Sequence, residues 1–224
     1  MNIILCVGNI IKNTFYRFGF KVSRLSTQHF YMKRMFDKVA GIEGDIVECG
    51  VGHAHTFHIL ALLLQEEGTE RKLWGFDSFE GFPEPSIEDA SPRNPQKGEW
   101  QCMNAQDVVK FLFMLGFREK WIDSHIKIVK GFFRDTLASN TIGRIAMLHL
   151  DVDIYGSYKT CLQYLFPKVV RGGVVLFDEY DEYMHKTKSI KFPGAKKAID
   201  EYFQGTEYEI SRDRLSGKYF LIKL

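Results

Sequence analysis

Ile145-Ala-Met-Leu-His-Leu150 is apolar at all but one position and runs straight into Asp151-Val-Asp153. A run with no polar alternation fits a strand covered on both faces, as in a parallel sheet. Gly173-Val-Val-Leu-Phe177 repeats the pattern and also ends on acids, Asp178-Glu-Tyr-Asp181. Working outward, residues 45–49, 72–76 and 125–129 are further strand candidates. Helical patterns fall at 56–67, 105–115, 157–168 and 195–203. Strands alternating with helices predict an α/β fold, a mostly parallel sheet with helices on both faces. Residues 208–210 and 219–222 read as two closing strands with no helix between them. Their short connection, 212–218, carries Gly217 and suits a hairpin, so an antiparallel last strand is expected.

The chain has 224 residues, 45% apolar and 26% charged, which suits one soluble core and excludes disordered, collagenous and fibrous classes. Its 30 basic and 28 acidic residues leave +2, too little to argue for nucleic acid or a membrane surface. The apolar stretch 3–11 is broken by Gly8 and Asn9 and falls short of the ~20 residues a membrane span needs. It lacks the basic start and small-residue cleavage site of a signal peptide. Cys6, Cys49, Cys102 and Cys161 form no CxxC pair and no zinc spacing, which points to reduced thiols and a cytoplasmic protein. Two segments leave the alternation. Residues 1–43, rich in aromatic and basic side chains, read as a helical N-terminal extension to a domain spanning 44–224. Residues 82–104, with four prolines, read as a long surface loop of the kind that serves as a lid. Aromatic residues reach 14% and concentrate in that extension and beside the strand ends.

In an open α/β sheet, ligands bind beyond the carboxyl ends of the strands. After the first strand comes Glu48-Cys-Gly-Val-Gly-His53, a tight turn that lacks the third glycine of a dinucleotide fingerprint. After the second comes Asp77-Ser-Phe-Glu-Gly-Phe-Pro83, whose Asp77 is spaced to accept ribose hydroxyls or else caps a helix. Asp151, Asp178 and Glu179 offer three hard oxygen ligands for Mg²⁺ or another divalent cation. Helix capping would explain one acid at each strand end, but not four acids at two neighbouring ends. Asp153 lies two residues beyond Asp151, so on an extended chain both face one side. His55 and His58 share a helix face, which would allow a metal pair, but packing or lining of a nucleoside site is the preferred reading. His149 reads as a satisfied core residue. Neither a serine nucleophile elbow nor a P-loop is found.

Taken together, Gly44-Asp-Ile-Val-Glu-Cys-Gly-Val51, Asp77-Ser-Phe-Glu-Gly-Phe-Pro83, Gly131-Phe-Phe-Arg-Asp-Thr-Leu137, Asp151-Val-Asp-Ile-Tyr155, Gly172-Gly-Val-Val-Leu-Phe-Asp-Glu-Tyr180 and Pro193-Gly-Ala-Lys-Lys-Ala198 resemble the macrocin O-methyltransferase family. The resemblance covers about residues 44–200. It implies a Rossmann-like class I methyltransferase fold with a seven-stranded sheet. It also implies S-adenosylmethionine and a divalent metal as cofactors, and a sugar or other polyhydroxylated small molecule as acceptor. Under it, Glu48, Gly50 and Gly52 meet the methionine part of the cofactor, Asp77 and Ser78 the ribose, and Gly131, Phe132 and Phe133 the adenine, with Asp151 beside them. Asp151, Asp178 and Glu179 match the metal ligands, and Asp153, next to Asp151, matches the general base. Glu179 stands where the family usually has a second Asp, and His53 to His55 stand where it often has more glycine. A homo-oligomer is left open. The alternatives on the same fold are a nucleotide-dependent oxidoreductase and a non-catalytic S-adenosylmethionine-binding protein.

Overall fold

Strands β1 (Asp45–Cys49), β2 (Leu73–Asp77), β3 (Ile126–Lys130), β4 (Ile145–Leu150) and β5 (Val169–Phe177) run parallel. With β6 (Ser211–Arg212) and β7 (Tyr219–Ile222) they form one sheet ordered β3-β2-β1-β4-β5-β7-β6. β7 is antiparallel to both of its neighbours, as a hairpin ending requires. The computed structural model describes residues 24–181, 183–184 and 189–224. Every residue of β4 is buried, which is why its sequence shows no alternation.

Helices α1 (Arg24–Asp37), α2 (His55–Glu67) and α3 (Ala105–Met114) cover one face, with α4 (Glu119–His125) beside β3. Tyr31, Met32, Phe57, Leu60 and Leu112 pack there on Ile46, Met147 and Leu176. Short α5 (Phe133–Thr136) precedes β4, and α6 (Tyr155–Leu165) and α7 (Pro193–Phe203) cover the other face. Tyr158, Leu162 and Ile199 pack there on Val47, Leu148, Leu150 and Phe177. Since strand side chains alternate, Glu48 and His149 point to the α1–α3 face, beside Ile46 and Met147. Asn104 caps α3 by accepting the Asp107 amide (2.9 Å), and Gly68, at φ +68, ends α2.

Several expectations shift. Residues 208–210 are not a strand; the pairing starts at Ser211, because Tyr208 turns its ring onto Phe166 and Phe203. Helices α4 and α5 were not read from the sequence, being too short to show a helical period. Within residues 1–43, α1 brings buried Tyr31, Met32, Met35 and Phe36 into the main core; residues 1–23, with Phe15, Tyr16, Phe18, Phe20 and Cys6, lie outside the described residues. The loop 82–104 is pinned down. Its single 3-10 turn, Ile87–Asp89, is capped by Ser86, and buried Asp89 accepts the Tyr155 amide at the start of α6 (2.8 Å). A side chain at Gly194 would press against that carboxylate, a Cβ falling 2.0 Å from Asp89 Oδ1. Among the described residues no helix is long and apolar enough to cross a membrane.

Candidate active site

The order of the sheet reverses between β1 and β4, and a crevice at such a point is where open α/β sheets bind ligands. A cavity of about 780 Å³ lies there. Its lining includes Glu48, Gly50, Gly52, Asp77, Ser78, Phe132, Asp151, Asp153, Asp178 and Glu179. Of the expected site residues Gly131 stays out of the wall, and so does His58, whose ring packs on Phe111. At φ +141 Gly131 turns the chain, and its amide donates to the Asp77 carbonyl (2.9 Å). The loop 82–104 contributes Phe82 and Trp100.

Gly50 explains itself. At φ +87, a Cβ on it would sit 1.7 Å from the Asp151 carbonyl oxygen, so β1 and β4 approach here closer than any side chain allows. Asp77 does more than face the cavity. Its Oδ2 accepts the amides of Val51 (2.8 Å) and Gly52 (2.9 Å), and its Oδ1 accepts the amide of Phe79 (2.7 Å). Three of roughly four lone-pair sites are therefore spent holding the glycine turn in shape. The Ser78 hydroxyl donates to the Gly81 carbonyl (2.8 Å) and shapes the next turn. Ala54, at φ +59, precedes α2 without a side-chain cap, so no capping side chain closes the cavity end of that helix, where His53, His55 and Thr56 line the wall.

The carboxylates meet, though by a different route from the one expected. Strand β4 has ended by Asp153, whose φ of +59 is left-handed, so strand alternation does not carry it to Asp151. Instead two overlapping groups form: Asp151 with Asp153 and Glu179, and Asp151 with Asp178 and His149, each within 4.8 Å. Buried Glu179 accepts the Tyr158 hydroxyl (2.6 Å) and the Asp153 amide (3.3 Å). Asp178 accepts from the Lys218 ammonium (2.7 Å), supplied by the hairpin before β7. Glu48 Oε1 and His149 Nδ1 lie 2.9 Å apart, across register-paired positions of β1 and β4.

Crowding decides the charges. Burial and the neighbouring Asp153, Asp151 and Asp178 push the Glu179 carboxyl far above its ordinary value. Burial and Asp178 push Asp151 up to about 6, and burial pushes Glu48 up to about 7. Lys218 and His149 overcome burial at Asp178 and hold it low. Burial opposes charge on His149, but Asp178 and Glu48 outweigh it and raise the ring to about 10. Carboxylates crowded this closely repel one another, so a cation between them is favoured, and their oxygen donors suit a hard or borderline dication. Glu48 Oε2 is buried without a hydrogen-bond partner in a residue lining the cavity, which suits a cationic group of a bound cofactor.

His149, Lys218, Tyr158 and Trp100 were missed as site residues. Only His149 left a trace, as the one polar side chain in an otherwise apolar strand; the others depend on distant segments folding back.

The Macrocin-O-methyltransferase (TylF) family model matches residues 23–205. A tetracenomycin-C 4'-O-methyltransferase of Streptomyces olivaceus is 32% identical over 142 residues, 62% of this chain and 54% of that protein. Mycinamicin III 3''-O-methyltransferase of Micromonospora griseorubida is 28% identical over 167 residues, 72% of this chain and 61% of that protein. The chain thus spans little more than half the length of these curated relatives. Among solved structures, the O-methyltransferase NovP superposes with a TM-score of 0.69 at 25% identity, covering 91% of this chain and 80% of NovP. A calicheamicin methyltransferase superposes at 0.73 and 22% identity, covering 94% and 83%, which attests the shared fold. With its fold, its glycine turn and a match across residues 23–205, the chain belongs to the macrocin-O-methyltransferase family.

Proposed function

We propose that the protein is an S-adenosylmethionine-dependent O-methyltransferase that methylates a hydroxyl of a sugar, in a glycoside or saccharide acceptor. One observation carries the reading: the glycine turn and the carboxylate cluster meet in one cavity, with Gly50 packed against the backbone of Asp151. Family membership and relatives named as methyltransferases of glycosylated antibiotics support it.

Glu48, Gly50 and Gly52 would hold the methionine part of the cofactor, Asp77 and Ser78 the ribose side, and Phe132 the adenine. Asp151, with Asp178 and Glu179, would hold a divalent metal such as Mg²⁺. Such an ion, when bound, lowers the pKa of an acceptor hydroxyl and orients it. Methyl transfer from a sulfonium is an in-line displacement: an oxygen–carbon bond forms, a carbon–sulfur bond breaks, and the hydroxyl proton leaves. The chain has to align the acceptor oxygen and take that proton. Asp153 would accept it, a role supported by its position in the cavity wall within 4.8 Å of Asp151. The +2 net charge supports a small-molecule partner rather than nucleic acid, and the cysteine pattern supports a cytoplasmic enzyme.

The test is calorimetric titration with S-adenosylmethionine, then methyl-transfer assays on a panel of rhamnosides with and without EDTA. Cofactor binding at micromolar strength and EDTA-sensitive transfer are expected. Binding of NAD in place of S-adenosylmethionine would overturn the reading, and activity undiminished by EDTA would remove the metal from it.

A further inference from the structure

Glu48 and His149 are both buried, at register-paired positions of β1 and β4. Their side chains meet, with His149 Nδ1 2.9 Å from Glu48 Oε1. The second Glu48 oxygen is left over. Oε2 has no hydrogen-bond partner, yet Glu48 belongs to the cavity wall. Among the described residues no other buried carboxylate oxygen lacks a partner. The neighbouring acids are engaged: Asp77 by three amides, Asp178 by Lys218, and Glu179 by Tyr158 and the Asp153 amide.

His149 stands behind Glu48, outside the cavity lining. Its Nε2 faces Asp178 Oδ1 at 3.9 Å, an ion-pair distance beyond hydrogen-bond reach. A ring held between two carboxylates favours the imidazolium, which donates from both nitrogens. Such a cation behind Glu48 keeps that buried carboxylate charged, and by engaging Oε1 it leaves Oε2 for the cavity. Register makes the pair. A slip of one residue would set Leu148 or Leu150 opposite Glu48, and both of these face the other side of the sheet. A buried carboxylate oxygen left without a donor is costly, so Oε2 calls for a cationic donor from the cavity side.

We infer that His149 is a positioning residue for the cofactor: it holds Glu48 through Oε1, so that Oε2 receives the ammonium group of the methionine end. The inference rests on the proposed function and deepens it, since a residue that touches no ligand then selects for a cofactor carrying an amino group. Without the ring, Glu48 loses the partner that orients it, and its buried anionic form is no longer favoured.

The test is calorimetry on the full-length protein in EDTA with two probes: S-adenosylhomocysteine, and its deamino analogue, in which hydrogen replaces the amino group. The wild type is expected to prefer S-adenosylhomocysteine at least about tenfold. His149→Leu, an apolar residue in an apolar strand, is expected to abolish that preference while binding the deamino analogue as the wild type does. Equal weakening of both probes would make His149 a packing residue and overturn the inference, and so would an unchanged preference. If His149→Leu does not fold, His149→Gln takes its place; it keeps a donor for Oε1 without the positive charge and is expected to lower the preference, an unchanged value again overturning the inference. A wild type that binds both probes equally would overturn the inference and leave the proposed function intact. A wild type that binds neither would overturn both.

Discussion

The Lys218 ammonium donates to Asp178 twice, to Oδ2 at 2.7 Å and to the main-chain carbonyl at 2.9 Å. The antiparallel end of the sheet thereby anchors the acidic end of β5 and sets a positive charge against a crowd of carboxylates. Removing that charge leaves Asp178 facing Asp151 and Glu179 without its main counter-ion. Lys218→Met is expected to destabilise the metal-free protein by about 2 kcal/mol, the scale of a hydrogen bond to a charged group. For a chain of this size that corresponds to a melting temperature lower by roughly 4–8 °C. An unchanged thermal melt would show that the pair contributes nothing.

Asp77 gathers three backbone amides, so its loss should be felt before any ligand arrives. Asp77→Ala is expected to lower the melting temperature of the cofactor-free protein by several degrees, at about 1–3 kcal/mol for amides left without an acceptor. Cofactor affinity should fall as well, because the turn that shapes the site loosens. Weaker cofactor binding with an unaltered cofactor-free melt would restrict Asp77 to contacting the ribose.

Trp100 is a large apolar residue left 45% exposed at the cavity mouth, at a left-handed φ of +63. Phe82, Phe192 and the Arg93 guanidinium hold its ring from within the loop and beyond it. A flat, rigid wall so placed suits the apolar face of a sugar. Trp100→Ala is expected to raise the acceptor KM about tenfold, or ~1.4 kcal/mol, with kcat and cofactor affinity kept. Loss of cofactor affinity in this variant would assign the ring to the other ligand.

Arg34 on α1 reaches Asp213 in the β6–β7 hairpin at 2.6 Å and ties the helix to the far edge of the sheet. Burial raises the Asp213 carboxyl, but the Ser216 hydroxyl and amide, with Arg34, outweigh it and hold it below the ordinary value. A carboxyl lowered on folding adds stability above its unfolded value and loses it as the pH falls through the folded one. The contribution is therefore full at neutral pH and fades below about pH 4. Urea unfolding should show Arg34→Met less stable than wild type by up to about 1 kcal/mol at pH 7, and the gap should narrow as the pH falls below about 4. A gap that does not change with pH would trace the effect to packing of the Arg34 stem.

Much of the site could be read along the chain, because Asp77, Asp151, Asp178 and Glu179 stand at or just beyond the end of an apolar strand. Asp77, Asp151, Asp178 and Glu179 are visible as charge appearing where a buried run stops. Asp153 was reached for the wrong reason: the chain turns left-handed there instead of continuing extended. Residue 208 looked like the start of a strand because aromatic side chains favour strands, yet Tyr208 serves an aromatic cluster with Phe166 and Phe203. His149 was taken for core, and it is buried as such a residue should be; what was hidden is its place between Glu48 and Asp178.

Sequence by itself determined the class of fold, the strands that matter and the turn that must be glycine, since all three follow from local burial pattern and local backbone conformation. Only the tertiary structure decided which charges meet. Glu48 pairs with His149 through strand register, Asp178 with Lys218 through a hairpin, and Glu179 with Tyr158 through the packing of α6. Electrostatic interaction depends on distance in space and on exclusion of water, and neither is recorded in the order of residues along a chain.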